Sequence, residues 1–222
     1  METGQALDHE PRPAVRVKKK QRDRLIRLAA AHSEWVLGFA DEVWWSRLAQ
    51  PELHAWAEDK PVRLREMTLP KEDADPKAVA CYGILRADTQ EVLVRFVDGR
   101  PVSHVTTTFL GWVGALLKAD GKKALLLVWD NASWHLSKEV RSWVRAHNRQ
   151  AKREGGVRIL LCQLPVKSPW LNRIEPKWVH AKRAVAEPDR LLSKAELIGR
   201  ICSYFTCKYV EHLKQAIAKK VA

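Results

Sequence analysis

The sequence of 222 residues lacks an apolar segment long enough to cross a bilayer, and its first residues lack the apolar stretch of a secretory signal. We therefore expect a cytoplasmic protein that makes no membrane contact. The four cysteines form no C-x-x-C pair, so their spacing indicates neither a zinc knuckle nor a disulfide framework. We expect buried thiols in a reducing compartment, in preference to a zinc site built from Cys202, Cys207 and His212.

Acidic residues are also in deficit. The chain has 39 Lys and Arg against 26 Asp and Glu, which gives a net charge of +13. Such a surface attracts polyanions, and nucleic acid is the expected partner, although charge alone leaves simple solubility open. A basic run lies in residues 1–31, which we predict to form a basic arm that is partly helical near Leu25 and Leu28. The basic residues of this arm include Arg16, Lys18, Lys19, Lys20, Arg22, Arg24 and Arg27.

Apolar patterning predicts an α/β fold. Continuous or alternating apolar runs predict strands at 35–40, 78–85, 91–97, 124–129 and 157–161. Helical spacing predicts helices within 103–117 and 136–147, and two more that begin near Asn172 and Ser193. The second and third runs are joined by a short polar connection and should form a hairpin. This order of elements predicts a mixed sheet with helices packed on its faces.

Three acids lie where this fold would bring them together. Asp41 and Asp130 directly follow apolar strands, and Glu175 lies in or near the first turn of a helix after the last strand. Polar groups at strand ends converge in the crevice outside a sheet. Three crowded carboxylates repel one another unless cations neutralise them, so the arrangement predicts a site for hard divalent metal ions. Each acid taken alone also has a structural explanation, as a turn cap, a loop acceptor or a helix-dipole partner.

The same acids lie in three recognisable motifs. The first is Phe39-Ala-Asp41-Glu42, the second is Trp129-Asp130-Asn131 followed by His135, and the third combines Ser168-Pro169, Leu171-Asn172, Ile174-Glu175 and Trp178. In kind and order they resemble the motifs of DDE transposases, in the bacterial insertion-sequence branch related to mariner elements, within the ribonuclease-H-like integrase superfamily. The resemblance covers about residues 33 to 186. Lys167 replaces a common aromatic residue and Arg173 a usual proline, but neither is a presumed ligand.

The resemblance implies a ribonuclease-H-like mixed sheet flanked by helices, and an enzyme that cleaves DNA strands and transfers them. It implies that Asp41, Asp130 and Glu175 are the catalytic residues and hold two metal ions, Mg²⁺ or Mn²⁺ as its substitute. Two alternatives remain: a related nuclease that hydrolyses without joining, and an inactive DNA-binding remnant.

Further residues of the motif region have expected roles. Asn131, His135 and Asn172 would support the acids, by orienting a carboxylate or contacting phosphate, although loop stabilisation and helix capping explain the first two equally well. A basic group around the third acid suits contact with the DNA backbone, with a solvated helix face as the alternative. This group comprises Lys167, Arg173, Lys177, Lys182 and Arg183.

We therefore predict a basic arm at 1–31, a DDE catalytic domain at 32–186 and a helical extension at 187–222. The expected partners are transposon ends and target DNA, bound by a homodimer that assembles on DNA and is then nucleoid-associated. No helix-turn-helix region is recognisable. We expect either a truncated copy, or a chain whose end recognition is supplied by a separate helix-turn-helix protein from an upstream reading frame.

Overall fold

The computed structural model describes residues 13–48, 54–56, 61–63, 69–166, 168–185 and 190–214. Its helices are α1 (Pro13–Ala31), α2 (Ser103–Ala119), α3 (Lys138–Glu154), α4 (Glu175–Val185) and α5 (Lys194–Tyr204), with a 3₁₀ turn at Pro169–Leu171. Its strands are β1 (Trp35–Ser46), β2 (His54–Trp56), β3 (Pro61–Arg63), β4 (Ala78–Arg86), β5 (Val92–Asp98), β6 (Ala124–Trp129), β7 (Arg158–Gln163) and β8 (Leu213–Lys214). None of the described helices is long and apolar enough to cross a membrane.

Six strands form one mixed sheet in the order β7-β6-β1-β4-β5-β8. Strand β1 pairs in parallel with β6 and antiparallel with β4, and β4 and β5 form the predicted hairpin. The sheet is flanked by helices, and the predicted ribonuclease-H-like α/β fold is confirmed. Strands β2 and β3 pair with each other in a separate two-stranded sheet.

Strand β1 is longer than its apolar run indicates. We predicted that the strand ends at Ala40, but it continues through Asp41 and Glu42 to Ser46. The reason is its antiparallel partner β4, which pairs with β1 as far as Ser46. The parallel neighbour β6 pairs only as far as Phe39. Asp41 therefore lies within a strand, just beyond the point where the parallel partner ends.

The sheet separates two apolar layers. Because side chains alternate along a strand, Leu37 and Phe39 face one layer, while Val36 and Ala40 face the other. The first layer contains residues of α1, α4 and α5, and the second contains residues of α2 and α3. The helices therefore sandwich a sheet whose central strands β1 and β6 are buried on both faces, as expected for β6 from its unbroken apolar run.

The two cysteines near the end of α5 have a structural explanation. Thr206 adopts a left-handed backbone conformation with φ of 52°. The amide of Cys207 donates to the carbonyl of Cys202, and the amide of Thr206 donates to that of Ser203, which is the Schellman ending of a helix. An apolar contact usually joins the two positions that Cys202 and Cys207 occupy. Both thiols are half-buried, and within the described residues no three His, Cys, Asp or Glu side chains are grouped as metal ligands.

Candidate active site

A cleft opens beyond the end of β6, between the loop that follows this strand and the loop that joins β7 to α4. Two predicted acids, Asp130 and Glu175, line it. The amides of Asn131 and Asn172 and the hydroxyl-bearing Ser168 line it as well. The second and third sequence motifs, which are far apart in the chain, thus line one depression.

Asp41 lies on the sheet face that carries α4 and does not line this cleft. Its Oδ2 accepts a hydrogen bond from Nε1 of Trp178, at 3.0 Å, and Trp178 is buried. The indole lies over Gly83, the residue that pairs with Asp41 in β4. A Cβ atom at position 83 would overlap the Trp178 ring, so glycine is required for the indole to reach Asp41.

The three acids influence one another electrostatically. Burial raises the pKa of Asp41 to about 8, and the charges of Glu175, Glu42 and Asp130 add to the rise. Burial also raises the pKa of Glu175, as does the charge of Asp130, while Lys182 opposes the shift. Bringing a cation to this region would relieve the repulsion.

The donor set was therefore tested for its fit to a divalent metal. Carboxylate oxygens are the ligands that hard divalent cations prefer, and the mutual repulsion of the acids favours such a cation. Asn172 lines the same cleft, and its buried Oδ1 has no hydrogen-bond partner among the described residues. The chemistry fits. However, among the residues that the structure describes, no three His, Cys, Asp or Glu side chains are arranged around one point as metal ligands.

Asn172 connects the third motif to the first. Its Nδ2 donates to the carbonyl of Ala40 at 3.0 Å, directly before Asp41 in β1. The side chain is buried and belongs to the turn that leads into α4 and Glu175. This bond therefore fixes the distance between the loop of Glu175 and the strand of Asp41.

Asp130 is held by hydrogen bonds on one oxygen. Its Oδ1 accepts from the amide of Ala132, at 2.9 Å, and from Nδ1 of His135, at 2.8 Å. The sequence left open whether Asp130 stabilises its own loop, and the bond from the Ala132 amide is such a contact. Burial raises the pKa of Asp130, but these two hydrogen bonds outweigh it and leave the pKa below its ordinary value.

His135 bridges Asp130 to a carboxylate that the sequence reasoning missed. Nε2 of its buried ring lies 2.7 Å from Oε1 of Glu42, which also accepts from Nε1 of Trp134 at 3.2 Å. The ring stacks on Trp129 with centroids 4.3 Å apart. Burial lowers the pKa of His135, but the bonds to Asp130 and Glu42 raise it to about 9. Both ring nitrogens are therefore donors at neutral pH, one to each carboxylate.

Glu42 and Asp41 point to opposite faces of the sheet because they are adjacent in one strand. Asp41 contacts Trp178 on the α4 side, and Glu42 contacts His135 on the other. If β1 is taken to continue past Ala40, the alternation of side chains along a strand places Asp41 and Glu42 on opposite faces of the sheet. The sequence did not show this because we predicted that β1 ends at the acidic pair.

The predicted DNA-contacting residues lie in and just before α4. Arg173 is exposed, with its guanidinium 5.7 Å from the ring centroid of Phe39. Lys182 and Arg183 are exposed and Lys177 is half-buried. Lys167 lies outside the described residues. No contact with DNA tests this group, and its role stays a prediction.

Helix α1 contacts two of the residues that line the cleft, which the sequence did not indicate. Nζ of Lys18 donates to Oδ1 of Asn131, at 3.0 Å, and to the carbonyl of Leu164, at 3.1 Å. Nη1 of Arg22 donates to the carbonyl of Leu171, at 3.3 Å. Two basic side chains of the segment predicted as an arm thus bind both ends of the loop that leads to Glu175.

Comparison with solved structures gives the same fold. The Mos1 transposase paired-end complex with left transposon end has a TM-score of 0.59 and 15% identity, over 94% of this chain and 59% of that one. The Mos1 mariner paired-end complex with Mn gives 0.59 and 14%, over 94% and 60%. The catalytic domain of Mos1 mariner transposase gives 0.54 and 14%, over 91% and 86%. The chain thus spans about 59% of the Mos1 chain in the first complex.

Sequence comparison gives the family. Among curated protein sequences, none matches the chain significantly. A family model described as DDE superfamily endonuclease matches residues 37–198, a range that contains all three motifs and most of the described sheet. The match covers well over half of the 222 residues. The chain belongs to the DDE superfamily endonuclease family.

Proposed function

We propose that this chain is the catalytic domain of a DDE transposase, of the bacterial insertion-sequence branch related to mariner elements, which cleaves DNA strands and joins the resulting 3′-hydroxyl to target DNA. The observation that carries the proposal is the convergence of the three motif acids. Asp130 and Glu175 line one cleft, and the turn before Glu175 is bonded through Asn172 to the carbonyl that precedes Asp41. Burial and the charges of Glu175 and Asp130 also raise the pKa of Asp41. A cation bound among these carboxylates would offset their mutual repulsion.

Asp41, Asp130 and Glu175 would hold the divalent ions, Mg²⁺ or Mn²⁺. When bound, such ions stabilise the negative charge that develops on a phosphodiester and on its leaving oxygen. A Mos1 complex of the same fold is described as containing Mn, which supports this choice of cation.

The chain's own residues would orient the acids. Among the described residues, both donors to Asp130 bind its Oδ1, which leaves Oδ2 free of hydrogen bonds from them. His135 and Ala132 would hold the carboxylate in one rotamer, and Trp178 would do the same for Asp41. Asn172 would fix the turn before Glu175 against β1. Lys182 would lower the cost of ionising Glu175.

The partners follow from this chemistry. The substrate would be DNA, as transposon ends and target, and the positive charge of the chain supports its encounter with a polyanion. Residues 32–186 would form the catalytic domain and 187–222 a helical extension, in which α5 packs with α4 in one apolar layer. A homodimer on DNA and a separate helix-turn-helix partner stay predictions.

Two assays test the proposal. Nicking of an end-labelled duplex is measured in Mg²⁺, Mn²⁺ or chelator, and joining is measured with pre-cleaved ends and a circular target. Metal-dependent nicking together with joining is the expected result. Nicking without joining would identify a hydrolytic nuclease of the same fold, and DNA binding in chelator without any nicking would identify an inactive remnant.

A further inference from the structure

Helix α1 carries a basic stripe on the side that faces solvent. Four exposed residues, Arg16, Lys20, Arg24 and Arg27, are spaced i, i+4, i+8 and i+11. At about 100° per residue these positions fall within roughly 80° of one another around the helix axis. They form one face, which we call the α1 stripe.

The opposite face of α1 fixes the helix on the domain. Leu25 is buried in the apolar layer that contains α4 and α5. Lys18 and Arg22 point toward the cleft loops and bind the carbonyls of Leu164 and Leu171. The helix is thus held at two points against the loop that leads to Glu175, and the α1 stripe faces outward beside the cleft.

Within the part of the chain that the structure describes, three of the four stripe residues, Lys20, Arg24 and Arg27, form no ion pair with an acid. The acid nearest to the stripe in the helix is Asp23, which lies outside the stripe and pairs with Arg22 at 2.8 Å. From Arg16 to Arg27 the helix rises by about 16 Å. Along a duplex this length corresponds to roughly five phosphates of one strand, since successive phosphates rise by about 3.4 Å.

We propose that the α1 stripe binds the phosphate backbone of the DNA duplex beside the strand that enters the cleft. The proposal rests on the proposed function, which supplies DNA as the substrate of the cleft. A stripe of positive charge on the helix that contacts the cleft loops fits a polyanionic strand of the same molecule. The stripe positions the duplex by its charge and reads no base sequence.

A matched control for the α1 stripe lies on the other face of the sheet. Helix α3 carries Arg145, Arg149 and Lys152, all exposed, at the spacing i, i+4 and i+7. Lys20, Arg24 and Arg27 of α1 have the same spacing and the same composition of two arginines and one lysine. Helix α3 belongs to the apolar layer on the opposite face of the sheet. Neutralising either set removes the same charge from the protein, so only position differs.

The experiment compares K20Q/R24Q/R27Q with R145Q/R149Q/K152Q in the full chain. Binding to a fluorescent duplex of arbitrary sequence is measured by anisotropy in chelator, over a series of salt concentrations. We expect the α1 variant to lose at least 10-fold in affinity at low salt. Its slope of log K against log salt should fall by about 2.7, since each lost phosphate contact contributes about 0.9. The α3 variant should change the slope by less than about 0.9.

Equal losses in the two variants, or a larger loss in the α3 variant, would overturn the proposal, since binding would then follow net charge or the other face. The charge-preserving variant K20R/R24K/R27K should bind as wild type does. A loss of affinity in this variant would also contradict the proposal that the α1 stripe binds by its charge. If melting shows that the triple variant is unfolded, the single variants K20Q, R24Q and R27Q are measured, each with an expected slope change of about 0.9.

Failure of the proposed function has a separate signature. A wild-type chain that binds DNA through the α1 stripe but never nicks it in Mn²⁺ would reject the catalytic proposal and keep this one. A chain that nicks DNA normally but whose DNA affinity does not change in the α1 variant would keep the catalytic proposal and reject this one.

Discussion

The indole N–H of Trp178 donates a 3.0 Å hydrogen bond to Oδ2 of Asp41, and so joins the helix of the third sequence motif to the strand of the first. Glu175 begins the same helix, three positions earlier. Any displacement of α4 therefore moves Glu175 and releases Asp41 together. The two acids are positioned as a unit, although they lie more than a hundred residues apart.

The substitution W178F tests this coupling. Phenylalanine keeps an aromatic ring in the core but removes the donor, so we expect metal-dependent nicking to fall about 10-fold or more. Stability should fall by about 1–3 kcal/mol, from the lost hydrogen bond and a small void. The control is W45F, since Trp45 is equally buried, packs edge-on against Trp178 and donates to Cys81. A matching loss of activity in W45F, at equal fraction folded, would contradict a specific role for Trp178.

Gly83 should be intolerant of a side chain. G83A places a Cβ against the Trp178 ring, and we expect a loss of about 1–3 kcal/mol in urea unfolding. The control G199A lies in α5 with open space around its Cβ and should gain about 0.5–1 kcal/mol. In a W178F background the cost of G83A should shrink, because the overlapping ring atoms are gone. Strict additivity of the two substitutions would show that Trp178 is not the obstacle.

The bridge from Glu42 through His135 to Asp130 predicts an effect at a distance from the cleft. E42Q keeps an oxygen that accepts from His135 but removes its charge, so the pKa of His135 should fall from about 9. With a weaker hold on Asp130, the Mn²⁺ affinity should drop about 10-fold. Histidine titration by NMR and a Mn²⁺ melting series measure the two effects. The exposed E139Q is the control, and a His135 titration that is identical in both variants would remove Glu42 from the bridge.

The raised pKa of Asp41 predicts how stability depends on pH without metal. Between its ordinary pKa of 3.8 and the folded value of about 8, the folded state holds a proton that the unfolded chain has released. The stability that protonated Asp41 confers is therefore fully present below the ordinary pKa of 3.8. It is lost as the pH rises through the folded pKa of about 8, by up to about 1.4 kcal/mol per pH unit. His135 contributes in the same direction, because its pKa is also raised.

D41N should flatten this dependence, since an amide does not titrate. Urea unfolding in chelator, from about pH 5 to about pH 8, compares the two slopes. In the wild type the melting shift caused by Mn²⁺ should grow across this range, because the metal and the proton compete for Asp41. Parallel slopes for D41N and wild type would show that Asp41 ionises normally in the folded chain.

Local patterning predicted the elements well where burial alone decides them. The unbroken apolar run of β6 coincides with its bounds, Ala124–Trp129, and the capping box at Ser193 and Glu196 is present at the start of α5. Both features depend on residues that are near in sequence. The same holds for the end of α3 at Gly155, where φ is 71°.

Contacts between distant elements were beyond sequence reasoning. The length of β1 depends on its pairing with β4, and the role of Glu42 depends on that length. The attachment of α1 depends on long side chains, Lys18 and Arg22, which bind carbonyls of loops about 150 residues away. Neither the spacing of apolar residues nor the composition indicates which distant elements contact one another. The position of the three acids relative to one another follows from these same long-range contacts.

The most direct test is the substitution D130N, measured by nicking of a labelled duplex and by melting with and without Mn²⁺. The amide keeps an oxygen that accepts from Ala132 and His135, so the fold should melt in chelator at or above the wild-type temperature. It removes the anionic oxygen that a hard cation requires, so nicking and the Mn²⁺ shift should both disappear. D130A, which also loses the loop contacts, should be less stable by about 1 kcal/mol. D130N that nicks at the wild-type rate, or a wild type that neither nicks nor shifts its melting with Mn²⁺, would contradict a metal-dependent nuclease site at Asp130.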